Sequence, residues 1–317
     1  MIVVIAGGTG AAKLLRGLAA CVDPARLTII GNTGDDTEVW GLHVSPDLDT
    51  VMYALAGTLD AARGWGVADE TFHCLRAMGG HGVDTWFSLG DRDLATHLVR
   101  TRALREGHTL SEVTATLARA LGVSVRLRPM SDDPVRTRLR TPAGWLSFQE
   151  YFVREKALVD VLEVVYDGAD VARPAPGVLA AIAGAEAVIV CPSNPVTSLG
   201  PVLAVPGIAQ ALAATRAPVV AVSPIVGSAA VSGPAARLMR ARGLDVSPAG
   251  VAAAYAPWLR HLLIDVRDAA SAAALAKLGV HAVVTDIVMT DRASERALAA
   301  QALAAAGWGP SSSPPCR

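Results

Sequence analysis

The chain predicts an α/β fold built on a mostly parallel sheet flanked by helices, and three observations carry that expectation. Its first residues read as strand, glycine turn, helix and second strand. Four further strand-length apolar segments recur in the C-terminal half, separated by alanine-rich helical segments. Polar loops follow several of these strands, as in parallel sheets whose active loops gather at the strand ends. With 317 residues, 52% of them hydrophobic, the chain is long enough for one large domain or a core with a sizeable insertion.

Taken in order, residues 2–6 form a buried strand, 11–20 the helix leaving the glycine turn, and 27–31 the second strand. Ser45 to Thr50 then precede Val51, Leu55 and Leu59 at helical spacing, with Asp49 or Thr50 as the cap. Residues 60–122 read as chiefly helical, with Asp69 capping one helix and Ser111 another. From 123 to 152 short alternating runs flank Thr141-Pro142-Ala143-Gly144, which predicts strands joined by a turn. Later strands are expected at 187–191, 218–222, 261–264 and 280–284. This divides the chain into a core of residues 1–60 and 170–308, an inserted helical and short-strand region of residues 61–169 that reads as a partly separate lid, and a disordered tail of residues 309–317.

Composition narrows the function. The 28 basic and 29 acidic residues balance to a formal charge of −1, so nothing draws the whole chain to nucleic acid or an anionic membrane. No apolar stretch approaches the roughly 20 residues needed to span a bilayer, and the apolar start lacks a basic leader, so it reads as a core strand. Cys21, Cys74, Cys191 and Cys316 form no CxxC pair and read as structural thiols of a reducing, cytoplasmic compartment.

Chemistry concentrates in a few segments. Gly7-Gly8-Thr9-Gly10 directly follows the first strand; glycines allow close approach of backbone donors to phosphate, and a helix start favours negative charge. Lys13 stands where a dinucleotide fingerprint wants its third glycine, and the Walker spacing fails, so a dehydrogenase is disfavoured. Lys13 reads equally as a phosphate contact or a solvated helix lysine. After the second strand come Asn32-Thr33-Gly34-Asp35-Asp36, whose carboxylates suit magnesium shared with phosphate and water, or else an Asx-rich turn. Asp47 and Asp49 form a second acidic pair. Asp91, Arg92 and Asp93, with His97 one turn on, either orient a polar substrate or cap a helix. Ser131 to Arg136 read as an anion-facing turn or an exposed sheet face. Pro192 to Pro201 make a preset loop in which Ser193, Asn194, Thr197 and Ser198 supply polar contacts. No Gly-x-Ser-x-Gly elbow argues for a covalent nucleophile.

Together these segments, with Pro129 to Pro134 and Ser223-Pro224-Ile225, resemble the 2-phospho-L-lactate transferase family of coenzyme F420 biosynthesis, most closely its actinobacterial phosphoenolpyruvyl transferase members. The resemblance spans almost the whole chain. It implies a Rossmann-like core with an inserted, largely helical region. It also implies transfer of a phosphoenolpyruvyl or 2-phospholactyl group from a guanosine-diphosphate-linked donor to the deazaflavin alcohol Fo, giving dehydro-F420-0 or F420-0 and GMP. Magnesium and a homodimer belong to the same implication. Gly7, Gly8 and Gly10 fall on the family's donor-binding glycines, Ser193 and Asn194 on its guanosine-side loop, and Asp49 on its acceptor-associated aspartate, with Arg92 assigned to the acceptor side. Ala11-Ala12 before Lys13 depart from a frequent version of the first motif. In this reading Asp35 and Asp36 place magnesium, and Asp49 orients or deprotonates the acceptor hydroxyl. Another nucleotide-dependent transferase, or a nucleotide-binding regulator without chemistry, are the competing expectations.

Overall fold

The structure, a computed structural model, describes residues 1–308; the expected tail of residues 309–317 lies outside them. Seven strands form one wholly parallel sheet: β1 (Ile2–Ala6), β2 (Leu27–Gly31), β3 (Arg126–Pro129), β4 (Ala187–Val190), β5 (Val219–Val222), β6 (His261–Asp265) and β7 (His281–Thr285). Their spatial order is β7-β6-β5-β4-β1-β2-β3. The chain therefore runs outward through β2 and β3, returns to the other side of β1 at β4, and continues outward through β7. Such a reversal opens a crevice at the carboxyl ends of β1 and β4, where open α/β sheets bind ligands. This is the expected Rossmann-like, mostly parallel α/β fold.

The central strands are apolar on both faces because both faces are covered. Val3 and Ile5 enter one core cluster with Val188, Val190 and Ala221. Ile2 and Val4 enter the opposite cluster with Ile189, Val220 and Val222. Helix α1 (Gly8–Cys21) lies in the second layer against the C-terminal helix Arg292–Ala305. Gly17 makes that contact possible, since a Cβ there would fall 2.2 Å from the Glu295 carbonyl oxygen.

Between β2 and β3 the chain builds a short hairpin (Thr37–Val39 with Leu42–Val44) and helices α2 (Pro46–Leu55), α3 (His73–Gly80), α4 (Asp91–Arg105) and α5 (Leu110–Ala120). Helix α2 begins earlier than the capping reading placed it: Ser45 precedes it and Pro46 opens its first turn, leaving Asp47 and Asp49 inside that turn. Asp69 does not cap α3. It adopts a left-handed φ of 52°, and the Asp91 carboxylate fills the capping role instead. Helix α5 is capped by Thr109, in a reciprocal box with Glu112, two residues before Ser111. Strand β3 returns the chain to the main sheet, after which Arg136–Thr141, Gly144–Ser147 and Glu163–Asp167 form a three-stranded antiparallel sheet. Cys74 and Cys191 are free. Among the described residues no helix is long and apolar enough to cross a membrane.

Candidate active site

The crevice between β1 and β4 is closed at its base by glycines. Gly7 is extended at φ −163° and Gly8 turns into α1 at φ +74°. A Cβ on Gly7 would lie 2.7 Å from both Asp47 Oδ2 and Ser198 Cβ, and one on Gly10 would lie 2.6 Å from the Pro192 carbonyl oxygen. The Ser193 hydroxyl laces the two loops together, donating to the Gly7 carbonyl at 2.7 Å and accepting from its amide at 3.3 Å. The N-cap residue Gly7 supplies no side chain to α1 and no acid of the helix itself occupies its first turn, while the Asp47 carboxylate draws on the Gly8 amide. The amides that follow Gly8 in the first turn can face a bound anion.

Above this turn sits a group of buried carboxylates. Asn32 joins the surrounding loops: its amide nitrogen donates to Asp47 at 2.9 Å and to the Thr197 carbonyl at 3.2 Å, while its oxygen accepts from the Gly34 amide at 2.8 Å. Asp36 accepts from Ser45 at 2.8 Å, with His43 Nε2 2.9 Å from the same oxygen. The other oxygen of Asp36, and Oδ1 of Asp35, are buried without a partner. The antiparallel sheet reaches into this loop. The Thr137 amide donates to the Gly34 carbonyl at 2.7 Å, and Gln149 donates to the Asp35 carbonyl at 3.3 Å.

Burial, then the charge of Asp47, pushes the Asp35 carboxyl well above its ordinary range against the opposing pull of the Thr137 hydroxyl. Burial likewise pushes Asp47 up to about 6, although the Asn32 amide and the Gly8 backbone amide pull it down. Carboxylates crowded this way resist sharing the site as anions unless a cation joins them. Among the described residues no three His, Cys, Asp or Glu side chains are grouped to hold a metal. The two orphaned oxygens of Asp35 and Asp36 nevertheless fit magnesium, which takes one or two carboxylates and completes its shell with water and phosphate.

Asp49, one turn-edge further along α2, faces α4. Arg100 grips both its oxygens, with the Nη1 contact at 3.0 Å. Arg100 also donates to His97 Nδ1 at 3.3 Å, and His97 Nε2 lies 3.1 Å from Asp93. The Tyr53 hydroxyl meets Asp93 at 2.7 Å and Thr96 at 2.8 Å. Burial, with the charges of Asp49 and Asp93 behind it, drives the Tyr53 hydroxyl far above its ordinary range, so it stays a donor.

The fold thus brings Gly7, Gly8, Gly10, Asn32, Asp35, Asp36, Ser193, Thr197 and Ser198 around one crevice. Thr9 is exposed at the start of α1. Asn194 shapes the loop, its side-chain oxygen accepting from the Val196 amide at 2.9 Å. Three of the expected contacts are engaged elsewhere. Lys13 donates to the Met289 carbonyl at 3.0 Å. Asp91 accepts from Thr71 and from the His73 and Cys74 amides, which pulls it down to about 2, the Thr71 hydroxyl contributing most. Arg92 donates to the Ala68 carbonyl at 2.8 Å. Glu70 in turn caps α4, accepting from the Arg92 and Asp93 amides at 2.8 and 3.0 Å. Conversely His43, Tyr53, Arg100, Thr137, Gln149 and Tyr166 belong to the site or its supports although no motif marks them. Tyr166 donates to the Val196 carbonyl at 2.5 Å, in space left by the missing side chain of Gly200.

This geometry has relatives. The profile of the family described as 2-phospho-L-lactate transferase CofD matches residues 2–304. A phosphoenolpyruvate transferase of Kitasatospora aureofaciens is 47% identical, covering 96% of this chain and 97% of its own. One from Streptomyces coelicolor is 46% identical, covering 95% and 97%. A 2-phospho-L-lactate transferase of Methanococcoides burtonii is 42% identical, covering 90% and 93%. A crystal structure of a UPF0052-family protein from Bacillus halodurans superposes with a TM-score of 0.63 over 95% of this chain and 98% of its own, at 18% identity, and so shares the fold alone. On the full-length match to the family and its relatives, this chain is a transferase of the 2-phospho-L-lactate transferase CofD family.

Proposed function

We propose that the protein transfers a phosphoenolpyruvyl or 2-phospholactyl group from a guanosine-diphosphate-linked donor to the deazaflavin alcohol Fo, releasing GMP. The observation that best supports this is that the glycine turn opening α1 and the partnerless oxygens of Asp35 and Asp36 both follow strands flanking the crevice, with Asp47 and Asn32 linking them. A pyrophosphate donor needs both: amide donors for its oxygens and a place for the cation that neutralises them. The donor's guanosine side fits the Ser193–Ser198 loop. The terminal ribityl oxygen of Fo attacks the phosphorus that carries the three-carbon acid. The pyrophosphate bond breaks, GMP leaves with the bridging oxygen and its electron pair, and the hydroxyl proton passes to solvent.

Asp35 and Asp36 are the residues that would hold magnesium, which when bound supplies charge neutralisation on the phosphoryl and leaving oxygens. Asp49, with both oxygens already accepting from Arg100, serves to orient the acceptor hydroxyl through its remaining lone pairs. A homodimer accompanies this reading, with Leu98 and Val99 exposed on α4 as apolar surface for it; sedimentation analysis reads out the oligomeric state.

The decisive test is incubation with Fo, magnesium and each guanylylated donor in turn, with product mass as readout. One donor should yield a deazaflavin phosphodiester and GMP. Failure of both would sink the proposed reaction, and magnesium-dependent turnover surviving in Asp35→Asn and Asp36→Asn would sink the metal assignment alone.

A further inference from the structure

Helix α4 is built against the usual rule. Its inward face carries Asp93, His97 and Arg100, all at most 6% exposed, while Leu98 and Val99 on its outer side are 56% and 45% exposed. Burying an arginine with two aspartates costs several kcal/mol in desolvation that apolar side chains at the same positions would avoid. Stability therefore does not account for this face.

The contacts form one connected path across the α2–α4 contact, with Thr96 as a side branch at Tyr53 and Asp49 also 3.7 Å from His97 Nδ1. The Tyr53 hydroxyl holds Asp93, Asp93 faces His97 Nε2, Arg100 donates to His97 Nδ1, and Arg100 grips Asp49 through two nitrogens. Because Nδ1 accepts from Arg100, the ring proton sits on Nε2, on the side where Asp93 lies 3.1 Å away outside hydrogen-bond alignment. Asp93 and Asp49 are thereby fixed by hydrogen bonds from Tyr53 and Arg100, and His97 is held through Nδ1 with Asp93 3.1 Å from its Nε2. A bidentate guanidinium also fixes the plane of a carboxylate, which an ammonium would not do. Only α2 and α4 contribute, so the path stands apart from the Gly7–Ser193 lacing that shapes the other side of the crevice.

We infer that Arg100, backed by His97, Asp93 and Tyr53, is a positioning residue for the acceptor alcohol: it sets the plane and place of the Asp49 carboxylate. The inference rests on Asp49 facing the acceptor, as proposed above.

The test compares Arg100→Lys and Tyr53→Phe with the wild type, measuring kcat and KM for Fo, GDP affinity by calorimetry, and Tm. Arg100→Lys keeps the charge but loses the fork, and should lower kcat/KM for Fo by about 100-fold, the cost of misplacing a reacting group by about 1 Å. Tyr53→Phe is isosteric and keeps the fold, and should lower it about tenfold through the loss of one hydrogen bond to a charged group. GDP affinity should stay within about twofold in both, and Asp49→Asn combined with Arg100→Lys should lose no more than the worse single variant, since groups acting as one unit do not add.

Wild-type Fo kinetics in Arg100→Lys and Tyr53→Phe would overturn the inference, as would GDP affinity falling in step with Tm. A wild type inert to Fo with every donor would overturn the functional reading and this inference with it.

Discussion

Gly10→Ala isolates the claim that the crevice depends on α1 and the loop after β4 touching backbone to backbone. An alanine Cβ there would stand 2.6 Å from the Pro192 carbonyl oxygen, where ordinary contact begins near 3.4 Å. The two segments must part by most of an ångström, because neither partner is a flexible side-chain end. Overpacking of this size costs about 1–3 kcal/mol, or a fall in Tm of roughly 2–6 °C in a protein of this length. The same displacement moves the α1 amides relative to Ser193 across the donor site. Misplacement near 1 Å costs on the order of 100-fold in rate, far beyond what the stability loss explains while the protein stays folded.

The control is Gly17→Ala, whose Cβ would meet the Glu295 carbonyl at 2.2 Å on the helix–helix contact away from the crevice. It should cost at least as much Tm with kcat/KM retained below the melt. Differential scanning calorimetry with steady-state product assay on both variants reads the split. Gly10→Ala with wild-type kcat/KM, or Gly17→Ala losing activity in the same proportion, would refute the reasoning.

Three further outcomes are expected. Asp47 sits at about 6 when folded, above its unfolded value of about 3.9; the folded state thus binds that proton more tightly, gains stability as pH falls from about 6 to about 4, and bears the cost of the charge above 6. In chelator-treated protein Asp47→Asn should therefore raise stability at pH 7–8 by on the order of 2 kcal/mol, with the gain shrinking as pH falls to 4, and a pH-independent difference in Tm would count against it. Asp91→Ala should release the amides of His73 and Cys74, seen as faster hydrogen exchange confined to the start of α3, and unchanged protection there would contradict the capping role. Tyr166→Phe should cost about 1 kcal/mol and speed exchange in residues 193–200, because the hydroxyl tethers the Val196 carbonyl; a silent variant would show the tether to be dispensable.

Much of this molecule is visible in its residue order. Parallel strands covered on both faces must be nearly continuous apolar runs, so β1, β2 and β4 to β6 stand out within a residue or so of their ends, and the edge strand β7 does so by its β-branched run although it is only partly buried. Glycines after β1 and polar residues after β4 mark the crevice because backbones can approach there only without side chains. Strand β3 is harder to see: Arg126–Pro129 alternates arginine with apolar residues at the sheet edge, a pattern shared with the antiparallel strands that follow. The caps of α3 and α4 were also hidden, since Asp91 and Glu70 each serve a helix start about 20 residues away in the chain.

The sequence by itself determined the parallel α/β core, the glycine turn, the acidic segments and the family to which they belong, because each depends on local periodicity or on a contiguous motif. Tertiary structure alone decided which partners those acidic groups meet. Asp49 is claimed by Arg100 51 positions later, and Asn32 reaches Thr197 across 165, whereas the Asp35 and Asp36 oxygens are left without partners. Neighbouring aspartates of equal intrinsic chemistry part in this way because their partners are set by how helices and loops pack, and packing register between distant segments leaves no local trace in the chain.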